Sequence, residues 1–375
     1  MQMSPKAGIH SPEAFPSPTL NTYRAASPVD ASPPDDYPRN MGPVANLDAG
    51  VLLDGSLTAE EQYRALTSGV AVLDRSDAGR LVLTGDDALD LLNRLSTNEL
   101  ATLEVGAGAA TVLTTNKGRI VDLLHVHRSE DRLAVFTSPE NQQRVAEWID
   151  FYTFVENVAI EDVTGETAML SLTGLDSTKF LDGLTNDQTS SLATYERLNA
   201  RISDVTADVY RSDFLGPPSF DIVVDAEHRD TLFDVLTDNG ATPAGPDVIE
   251  ALRVQRGIPA FGKELTEDYN PHEANLVHHV SFSKGCYIGQ EVIARLQTYK
   301  KVSKYLVGLR WDGDGPAPGS FLTHDGKRMG IITSAARLPH TGANVGLGYV
   351  RKGFADDGTT VADEAGNEIN IKVLV

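Results

Sequence analysis

The chain has 375 residues, with 53 acidic and 32 basic side chains and a formal net charge of −21. A surface this acidic repels phosphate backbones, and one cysteine cannot form an intramolecular disulfide, so direct nucleic-acid binding and a disulfide framework are not expected. Without an apolar run of about 18 residues no membrane span is expected, and we predict a cytoplasmic protein. The dispersed acidity favours a halophilic origin over an ordinary acidic cytosolic protein. Residues 1–45 are rich in proline and serine and predict a disordered extension without a functional site.

The first ordered pattern is a helix that starts at a capping box. Thr58 and the glutamate three residues later, Glu61, have the spacing of that motif. Short strands bounded by glycine are expected over 69–74 and 79–85, and a helix with apolar residues at helical spacing over 86–95.

A hairpin is expected next, because the turn residues 115–119 separate two apolar runs. A helix over 141–152 and strands over 158–171 follow. The run Leu172-Thr173-Gly174 repeats Leu83-Thr84-Gly85, and a helix is expected after each glycine, so two similar lobes are predicted.

The second half begins with helices and ends with strands. Helices are expected over 228–240 and 247–255. From Tyr305 onward, short strands alternate with glycine and proline, a pattern typical of a small β-barrel.

The only cysteine, Cys286, lies in the run Phe282-Ser283-Lys284-Gly285-Cys286-Tyr287-Ile288-Gly289-Gln290-Glu291. Gly285 and Gly289 allow backbone angles closed to other residues, and helical composition begins after Gly289. A cation or a helix N-terminus favours the thiolate, and Lys284 is two positions away. The run predicts a reactive thiol on an exposed turn leading into a helix, with a buried structural cysteine as the alternative.

The run Lys284–Glu291 resembles the K-G-C-[FY]-x-G-Q-E signature of the YgfZ family, folate-binding relatives of the glycine-cleavage T-protein, an aminomethyltransferase. The similarity extends from about residue 57 to 375, and the acidity suggests a haloarchaeal-type member. It implies a T-protein-like α+β fold with two α+β lobes around a central folate cavity plus a C-terminal β-barrel. The implied parts are the extension 1–45, a first lobe 46–160, a second lobe 161–245, a return segment 246–302 and the barrel 303–375.

The resemblance also implies the site residues. Cys286 and Lys284 would be the catalytic residues, and the supporting motif residues would be Gly285, Tyr287, Gly289, Gln290 and Glu291. Tetrahydrofolate, or a one-carbon derivative, would be bound by Arg253, Asp122, Asn116, Phe261 and Glu273. Arg253 is the preferred ligand because a guanidinium fork suits a pterin carbonyl or a glutamate tail. The alternative for Arg253 is a solvated helix face or an ion pair, which the residue would favour without the resemblance. No metal site is expected from His272, His278, His279 and Cys286, since their spacing fixes no tetrahedral geometry.

Two positions depart from the T-protein pattern. The aspartate that the family places over the reacting folate nitrogen falls on Val121, with only Asp122 remaining, and its folate-binding glutamate falls on Pro217. Valine cannot accept a proton, which counts against aminomethyl transfer.

The favoured function is therefore a tetrahydrofolate-binding protein that supports iron–sulfur cluster assembly or repair in client enzymes through the Cys286 thiol. The alternatives are a folate-dependent aminomethyltransferase or demethylase, and a non-catalytic folate-binding module that docks a partner. The expected partners are folate and iron–sulfur client or assembly proteins, without nucleic acid or membrane.

Overall fold

The computed structural model describes residues 57–185, 189–216, 218–313 and 315–374, so the predicted extension 1–45 and Pro217 lie outside the described residues. The α-helices are α1 (Ala59–Ser68), α2 (Ala88–Leu95), α3 (Gln142–Phe151), α4 (Ser177–Thr185), α5 (Arg229–Asp238), α6 (Pro246–Gln255) and α7 (Gln290–Tyr299). The strands are β1 (Ala71–Asp74), β2 (Ala78–Thr84), β3 (Gly108–Thr114), β4 (Ile120–Arg128), β5 (Arg132–Pro139), β6 (Ala159–Asp162), β7 (Thr167–Thr173), β8 (Arg197–Ile202), β9 (Val205–Ser212), β10 (Ser219–Asp225), β11 (Thr242–Pro243), β12 (Lys304–Trp311), β13 (Phe321–His324), β14 (Lys327–Arg337), β15 (Asn344–Arg351), β16 (Thr360–Ala362) and β17 (Glu368–Lys372).

The first lobe is a five-stranded antiparallel sheet in the order β3-β4-β5-β2-β6. Helices α2 and α3 cover it, because the apolar side chains that each helix repeats at helical spacing are buried in one core with the strands. That core includes Leu91 and Leu95 of α2 and Trp148 of α3. The predicted hairpin is β3 and β4, paired from Gly108 and His127 towards the turn.

The second lobe is a six-stranded sheet in the order β11-β1-β7-β10-β9-β8, packed against α4 and α5. Strand β1 belongs here and not to the first lobe, since it pairs antiparallel with β7 and its Val72 is buried in the second core. Strand β6 closes the first sheet beside β2 and ends at Asp162. The predicted boundaries 46–160 and 161–245 therefore do not follow the sheets, because a four-residue strand carries no sequence signal of its pairing partner.

The predicted internal repeat is present in both lobes. Strand β2 ends at Thr84 and β7 ends at Thr173, and each is followed by a glycine with positive φ, 106° at Gly85 and 120° at Gly174. Helices α2 and α4 each start three residues after that glycine. The predicted capping box of α1 is also confirmed, with the Glu61 amide donating to Thr58 Oγ1 at 3.2 Å.

The C-terminal strands form the predicted barrel, closed in the order β12-β15-β14-β13-β16-β17. Helix α6 packs against β14 and β15. One apolar core contains side chains of α1, α6, the return segment and the barrel strands β12 and β15. Within the described ranges, no helix has the length and apolarity that crossing a membrane requires. The α+β architecture with a separate barrel agrees with the sequence-based expectation.

Candidate functional site

Cys286 is a free cysteine at the exposed tip of a turn. Gly285 beside it is also exposed, whereas Lys284 and Tyr287 on either side are buried. Helix α7 begins at Gln290, shortly after the thiol. The structure therefore has the predicted exposed turn leading into a helix, and the alternative of a buried structural cysteine is wrong.

The side chain of Lys284 anchors this turn to the first lobe. Its Nζ donates to the carbonyl oxygens of Asn93 at 2.7 Å and Ser96 at 3.0 Å, and also to that of Asn98. These carbonyls belong to the last turn of α2 and the residues after it, where backbone acceptors lack helical partners and a cation is favourable. Burial lowers the pKa of Lys284 to about 8, against the effect of the Glu99 carboxylate, which raises it. The side chain thus anchors the turn, and its effect on the Cys286 thiolate stays a prediction.

Backbone contacts fix the other side of the turn. The Ile288 amide donates to the Arg94 carbonyl at 3.0 Å, and Thr114 Oγ1 donates to the Ile288 carbonyl at 2.8 Å. Gly289 has φ 83°, a left-handed conformation that favours glycine. The thiol is therefore presented on a loop held at both ends by α2 and the β3–β4 hairpin.

The other motif residues surround this anchor. Tyr287 is buried with its ring centroid 5.3 Å from Lys284 Nζ, and burial raises the pKa of Tyr287 to about 12. Gln290 opens α7, and Glu291 is exposed with its carboxylate 3.8 Å from the Arg295 guanidinium one turn later. Glu291 is thus free to meet solvent or a partner.

Arg253, the preferred folate ligand, is buried and saturated within the chain. A guanidinium has five N–H donors. Two of them reach the Glu250 carboxylate at 2.8 and 2.6 Å, and one reaches Ser334 Oγ at 2.7 Å. The remaining two reach the Ile258 carbonyl at 2.6 Å and Glu264 Oε2 at 3.1 Å. No donor is left for a ligand, so the sequence-based assignment of Arg253 needs correction: it joins α6 to the barrel.

Asp122 is fully buried inside the first lobe. Its Oδ1 accepts from Ser138 Oγ at 2.6 Å and the Leu123 amide at 2.8 Å, and its Oδ2 accepts from the Ser138 amide at 3.0 Å. Burial raises the pKa of Asp122. Val121 is likewise buried in the first core. At this point of β4 neither residue offers a carboxylate to a ligand, and the expectation for Asp122 is also corrected.

The three remaining predicted folate residues differ in accessibility. Asn116 is exposed at the hairpin turn, and Phe261 is half-buried. Glu273 is buried, where its Oε2 accepts from the Asn270 amide at 3.2 Å and lies 3.5 Å from Arg119 Nη1. Burial raises the pKa of Glu273, against the effect of the nearby cations. Asn116 and Phe261 stay predictions, and Glu273 is held mainly by its own segment.

The histidines of the return segment do not assemble with the cysteine into a metal site. His272 is buried, with Nε2 3.0 Å from the Ile293 carbonyl oxygen, and His278 is exposed with its ring tilted against that of His279, the centroids 3.9 Å apart. Among the described residues, no three histidine, cysteine, aspartate or glutamate side chains are grouped to hold a metal ion.

A polar cluster that sequence analysis missed lies where the lobes meet. We define the lobe-junction cluster as His125, Tyr195, Asp213 and His279. The Tyr195 hydroxyl donates to Asp213 Oδ2, and His125 Nε2 lies 3.7 Å from Asp213 Oδ1. The rings of His125 and Tyr195 are stacked with centroids 5.5 Å apart. These residues come from four separate segments, so no local pattern could have indicated them.

Tyr195 is held in a strained conformation with φ 71°. Its amide donates to the Arg211 carbonyl at 2.7 Å, and its carbonyl oxygen lies 2.8 Å from His127 Nδ1. Gly108 makes room for it, because a Cβ there would lie 2.5 Å from the Tyr195 oxygen. The junction of the β8–β9 pair with the β3–β4 hairpin thus fixes the tyrosine.

Electrostatics keep the Asp213 carboxyl ionised. Burial alone would raise the pKa of Asp213, but His125 and the Tyr195 hydrogen bond bring it below its ordinary value. Burial lowers the pKa of His279 to about 3, with further contributions from His278 and His125. The cluster therefore carries one anionic oxygen acceptor beside neutral His279.

Two α+β lobes, a closed C-terminal barrel and a return segment with an exposed thiol define a T-protein-like α+β protein. Residues 4–284 match the GCVT N-terminal domain, and residues 304–375 match the glycine cleavage T-protein C-terminal barrel domain. The chain belongs to the glycine cleavage T-protein family.

Several relatives agree with this placement. An Arabidopsis thaliana protein named as a chloroplastic transferase is 31% identical over 303 residues, covering 80% of this chain and 70% of the relative. An aminomethyltransferase of Caldanaerobacter subterraneus is 28% identical over 307 residues, 80% of this chain and 82% of that protein. The crystal structure of glycine cleavage system aminomethyltransferase T from Bartonella henselae superposes with a TM-score of 0.76 at 21% identity, covering 84% of this chain and 88% of that one, which supports the fold.

Proposed function

We propose that the protein binds tetrahydrofolate or a one-carbon derivative and supports the assembly or repair of iron–sulfur clusters in client enzymes. The observation that carries this proposal is the presentation of Cys286, the sole thiol, at the exposed tip of a turn anchored on both sides. A thiolate is a preferred ligand of cluster iron, and an accessible one can hold or exchange a cluster that is cargo. The activity belongs in the cytoplasm, where thiols stay reduced.

The turn is suited to binding another protein. The chain has one thiol, and a stable cluster needs several thiolate ligands, so the remaining ligands have to come from a client or assembly protein. Phe282 and Val292 expose apolar surface in the same stretch of chain as Cys286. Glu291 adds an exposed carboxylate at the start of α7.

The test is the activity of iron–sulfur enzymes in cells that carry only a variant of this chain. Cys286→Ser should abolish the support, because a hydroxyl is a poor iron ligand. Ser283→Ala, an exposed change on the same turn, is the matched control and should retain it. Full activity with Cys286→Ser would overturn the cluster part of the proposal.

The folate part is supported by family membership and by accessible polar groups, not by Arg253 or Asp122. A pterin and its glutamate tail need acceptors for N–H groups and donors for carboxylates. Among the described residues, Asn116 is exposed, the Arg119 side chain is 40% exposed, and the Asp213 side chain is 38% exposed. These groups fit the chemistry of the ligand, and Phe261 adds a half-buried aromatic ring.

Calorimetric titration with 5-formyltetrahydrofolate, a stable reduced folate, tests this part. Wild type should bind, and Arg119→Ala should weaken binding if the guanidinium meets the tail. Arg64→Ala is a control because Arg64 is exposed on α1, where its guanidinium lies 3.3 Å from the Glu60 carboxylate. No binding by wild type would remove folate from the proposal while leaving the thiol chemistry open to its own test.

Aminomethyl transfer is the second candidate, favoured by the names of several relatives. Against it, the strand position expected to carry the reacting aspartate is the buried Val121, and Asp122 has both oxygens engaged. A glycine cleavage assay with the purified partner proteins decides between them. Turnover that survives Cys286→Ser would favour the transferase.

A further inference from the structure

Helix α7, which follows the cysteine turn, has most of its surface in solvent. Of its ten residues, all of which the structure describes, Ile293 alone is buried. Three larger apolar side chains, Val292, Leu296 and Tyr299, have the spacing i, i+4 and i+7, so they form one stripe along the helix. Val292 is 37% exposed and Tyr299 is 64% exposed, and Leu296 between them is half-buried. A stripe of this kind is normally covered by other apolar groups, and here it is accessible.

The charge around this stripe is opposite to that of the whole chain. Residues 292–311 contain five basic side chains and no acidic one, in a chain with a formal net charge of −21. Arg295 is 68% exposed, and Lys300 and Lys301 are exposed directly after the helix. Glu291 lies 3.8 Å from Arg295 and offsets it in part, so the positive charge is greatest at the lysine end.

The β3–β4 turn borders the stripe at its other end. A Cβ on Gly118 would lie 3.3 Å from Val292 Cβ and 3.2 Å from Ile293 Cγ1, so this turn packs against the start of α7. Lys117, the neighbour of Gly118, is exposed and adds another cation. Lys300 ends the helix with φ 50°, a left-handed cap that is usually glycine. Both ends of the stripe therefore carry cations on ordered backbone, which lowers the entropy cost of binding.

We define the α7 face by this stripe and its nearest cations, namely Val292, Leu296, Tyr299, Arg295, Lys300 and Lys301. We propose that the α7 face docks a partner protein through an acidic segment of that partner that also carries apolar side chains. The inference rests on the proposed function and names the surface that brings a client or assembly protein to the thiol. The stripe begins six positions after Cys286 and is about 10 Å long, so a docked partner lies beside the cysteine turn.

Charge complementarity decides the class of partner. The net charge of −21 repels an acidic protein from the chain as a whole, whereas the charges nearest the α7 face attract it. Complementary charge speeds association and selects the orientation in which two proteins meet. The stripe favours a protein over a nucleic acid, since Val292 and Leu296 have no donors for phosphate oxygens. Tyr299 supplies the large aromatic anchor that is typical of protein interfaces.

Fluorescence anisotropy of a labelled peptide, titrated with the full chain, tests the inference. The probe is an amphipathic peptide of about 15 residues with glutamates on one face and leucines on the other. Wild type should bind this glutamate peptide, and the affinity should fall as salt is added. The same peptide with lysine in place of glutamate should bind about tenfold or more weakly, because like charges then face each other.

Two variants of the α7 face have matched controls elsewhere in the chain. Arg295→Glu should weaken binding of the glutamate peptide about threefold or more, and Tyr299→Ser about fivefold or more. Arg64→Glu reverses a helical arginine with the same 68% exposure and a glutamate at the same spacing of four residues. Phe154→Ser removes a ring that is 66% exposed on the first lobe. Both controls should bind the peptide as wild type does.

The activity of iron–sulfur enzymes in cells connects the α7 face with the proposed function. A chain with both Arg295→Glu and Tyr299→Ser should lose most of its support for these enzymes. Its Cys286 thiol should still react with a small thiol reagent at the wild-type rate, which shows that the cysteine turn is intact. The loss of support then reports on docking.

The outcomes separate the two proposals. If wild type does not bind the glutamate peptide, or if Arg295→Glu and Tyr299→Ser bind it as wild type does, the inference is overturned. Full support by the double variant in cells that lose support with Cys286→Ser also overturns the inference and leaves the proposed function standing. Full support with Cys286→Ser refutes the cluster function, and the peptide titration still decides whether the α7 face binds an acidic segment. Tighter binding of a single-stranded RNA that displaces the peptide would refute a protein partner.

Discussion

Gly289 packs directly against Gly118 of the β3–β4 turn. A Cβ on Gly289 would lie 2.9 Å from Gly118 Cα and 2.6 Å from the Thr115 carbonyl oxygen. At this point the cysteine turn and the hairpin therefore meet backbone to backbone. The position of the thiol depends on two glycines that are far apart in sequence.

Gly289→Ala should lower the free energy of unfolding by about 2–5 kcal/mol, adding about 1–2 for the left-handed conformation to about 1–3 for overpacking. Urea unfolding measures it. Gly285→Ala is the control, since a Cβ there meets no atom within 4 Å, and it should stay within about 0.5 kcal/mol of wild type. Equal stability of the two variants would contradict the packing described.

Arg253→Met should destabilise the chain by about 3–5 kcal/mol, because it leaves the buried Glu264 carboxylate without its cation and Glu250 with Lys263 alone. Thermal and urea unfolding measure this. Arg64→Ala breaks an exposed pair and should cost less than about 1 kcal/mol. A stable Arg253→Met protein that has lost only folate binding would restore the arginine as a ligand.

Stability should fall in acid through His279. The folded pKa is about 3 and the unfolded value about 6.5, so between these pH values the unfolded chain binds the proton and the folded chain does not. The free energy of unfolding should therefore decrease as pH falls from 6.5, by up to about 1.4 kcal/mol per pH unit from this residue. His279→Asn should flatten the slope between pH 6 and 4 by about that amount.

The matched control for that slope is His228→Gln, at a histidine whose side chain is 43% exposed on the second lobe. Its pH dependence should equal that of wild type. If His279→Asn left the slope unchanged, the acid sensitivity would have to come from other groups, such as the buried His127, whose pKa burial lowers to about 4.

Molar salt should raise the melting temperature by several degrees. A formal net charge of −21 is self-repulsive, and the screening length shortens from about 10 Å at 0.1 M to about 3 Å at 1 M salt. Scanning calorimetry in 0.1 and 2 M KCl measures the change. Sucrose at matched osmolality separates screening from preferential exclusion. Identical melting temperatures in both salt concentrations would refute the halophilic interpretation.

Local signals in the sequence were sufficient for much of the fold. The capping box at Thr58, the turn at Asn116 and the glycines at the ends of β2 and β7 each act within a few residues, and each appears where expected. The exposure of Cys286 was predictable for the same reason, since its glycines and polar neighbours do not suit a core.

The parts that sequence analysis missed depend on distant partners. The four residues of β1 carry no signal of its pairing with β7. The position of Arg253 on a helix does not reveal that its N–H groups donate to Glu264 and Ser334. The lobe-junction cluster was missed for the same reason, because His125, Tyr195 and Asp213 meet only once both sheets have formed.

The contacts that anchor the cysteine turn also determine the order in which parts of the chain can fold during synthesis. Thr114 and Ile288 are separated by 174 positions, and Asn93 and Lys284 by 191. At about 5–20 residues per second of synthesis, Asn93 and Thr114 leave the ribosome roughly 10–40 s before their partners in the turn. The thiol therefore reaches its final setting only on a chain whose first lobe is already built, and a nascent or truncated molecule does not display it.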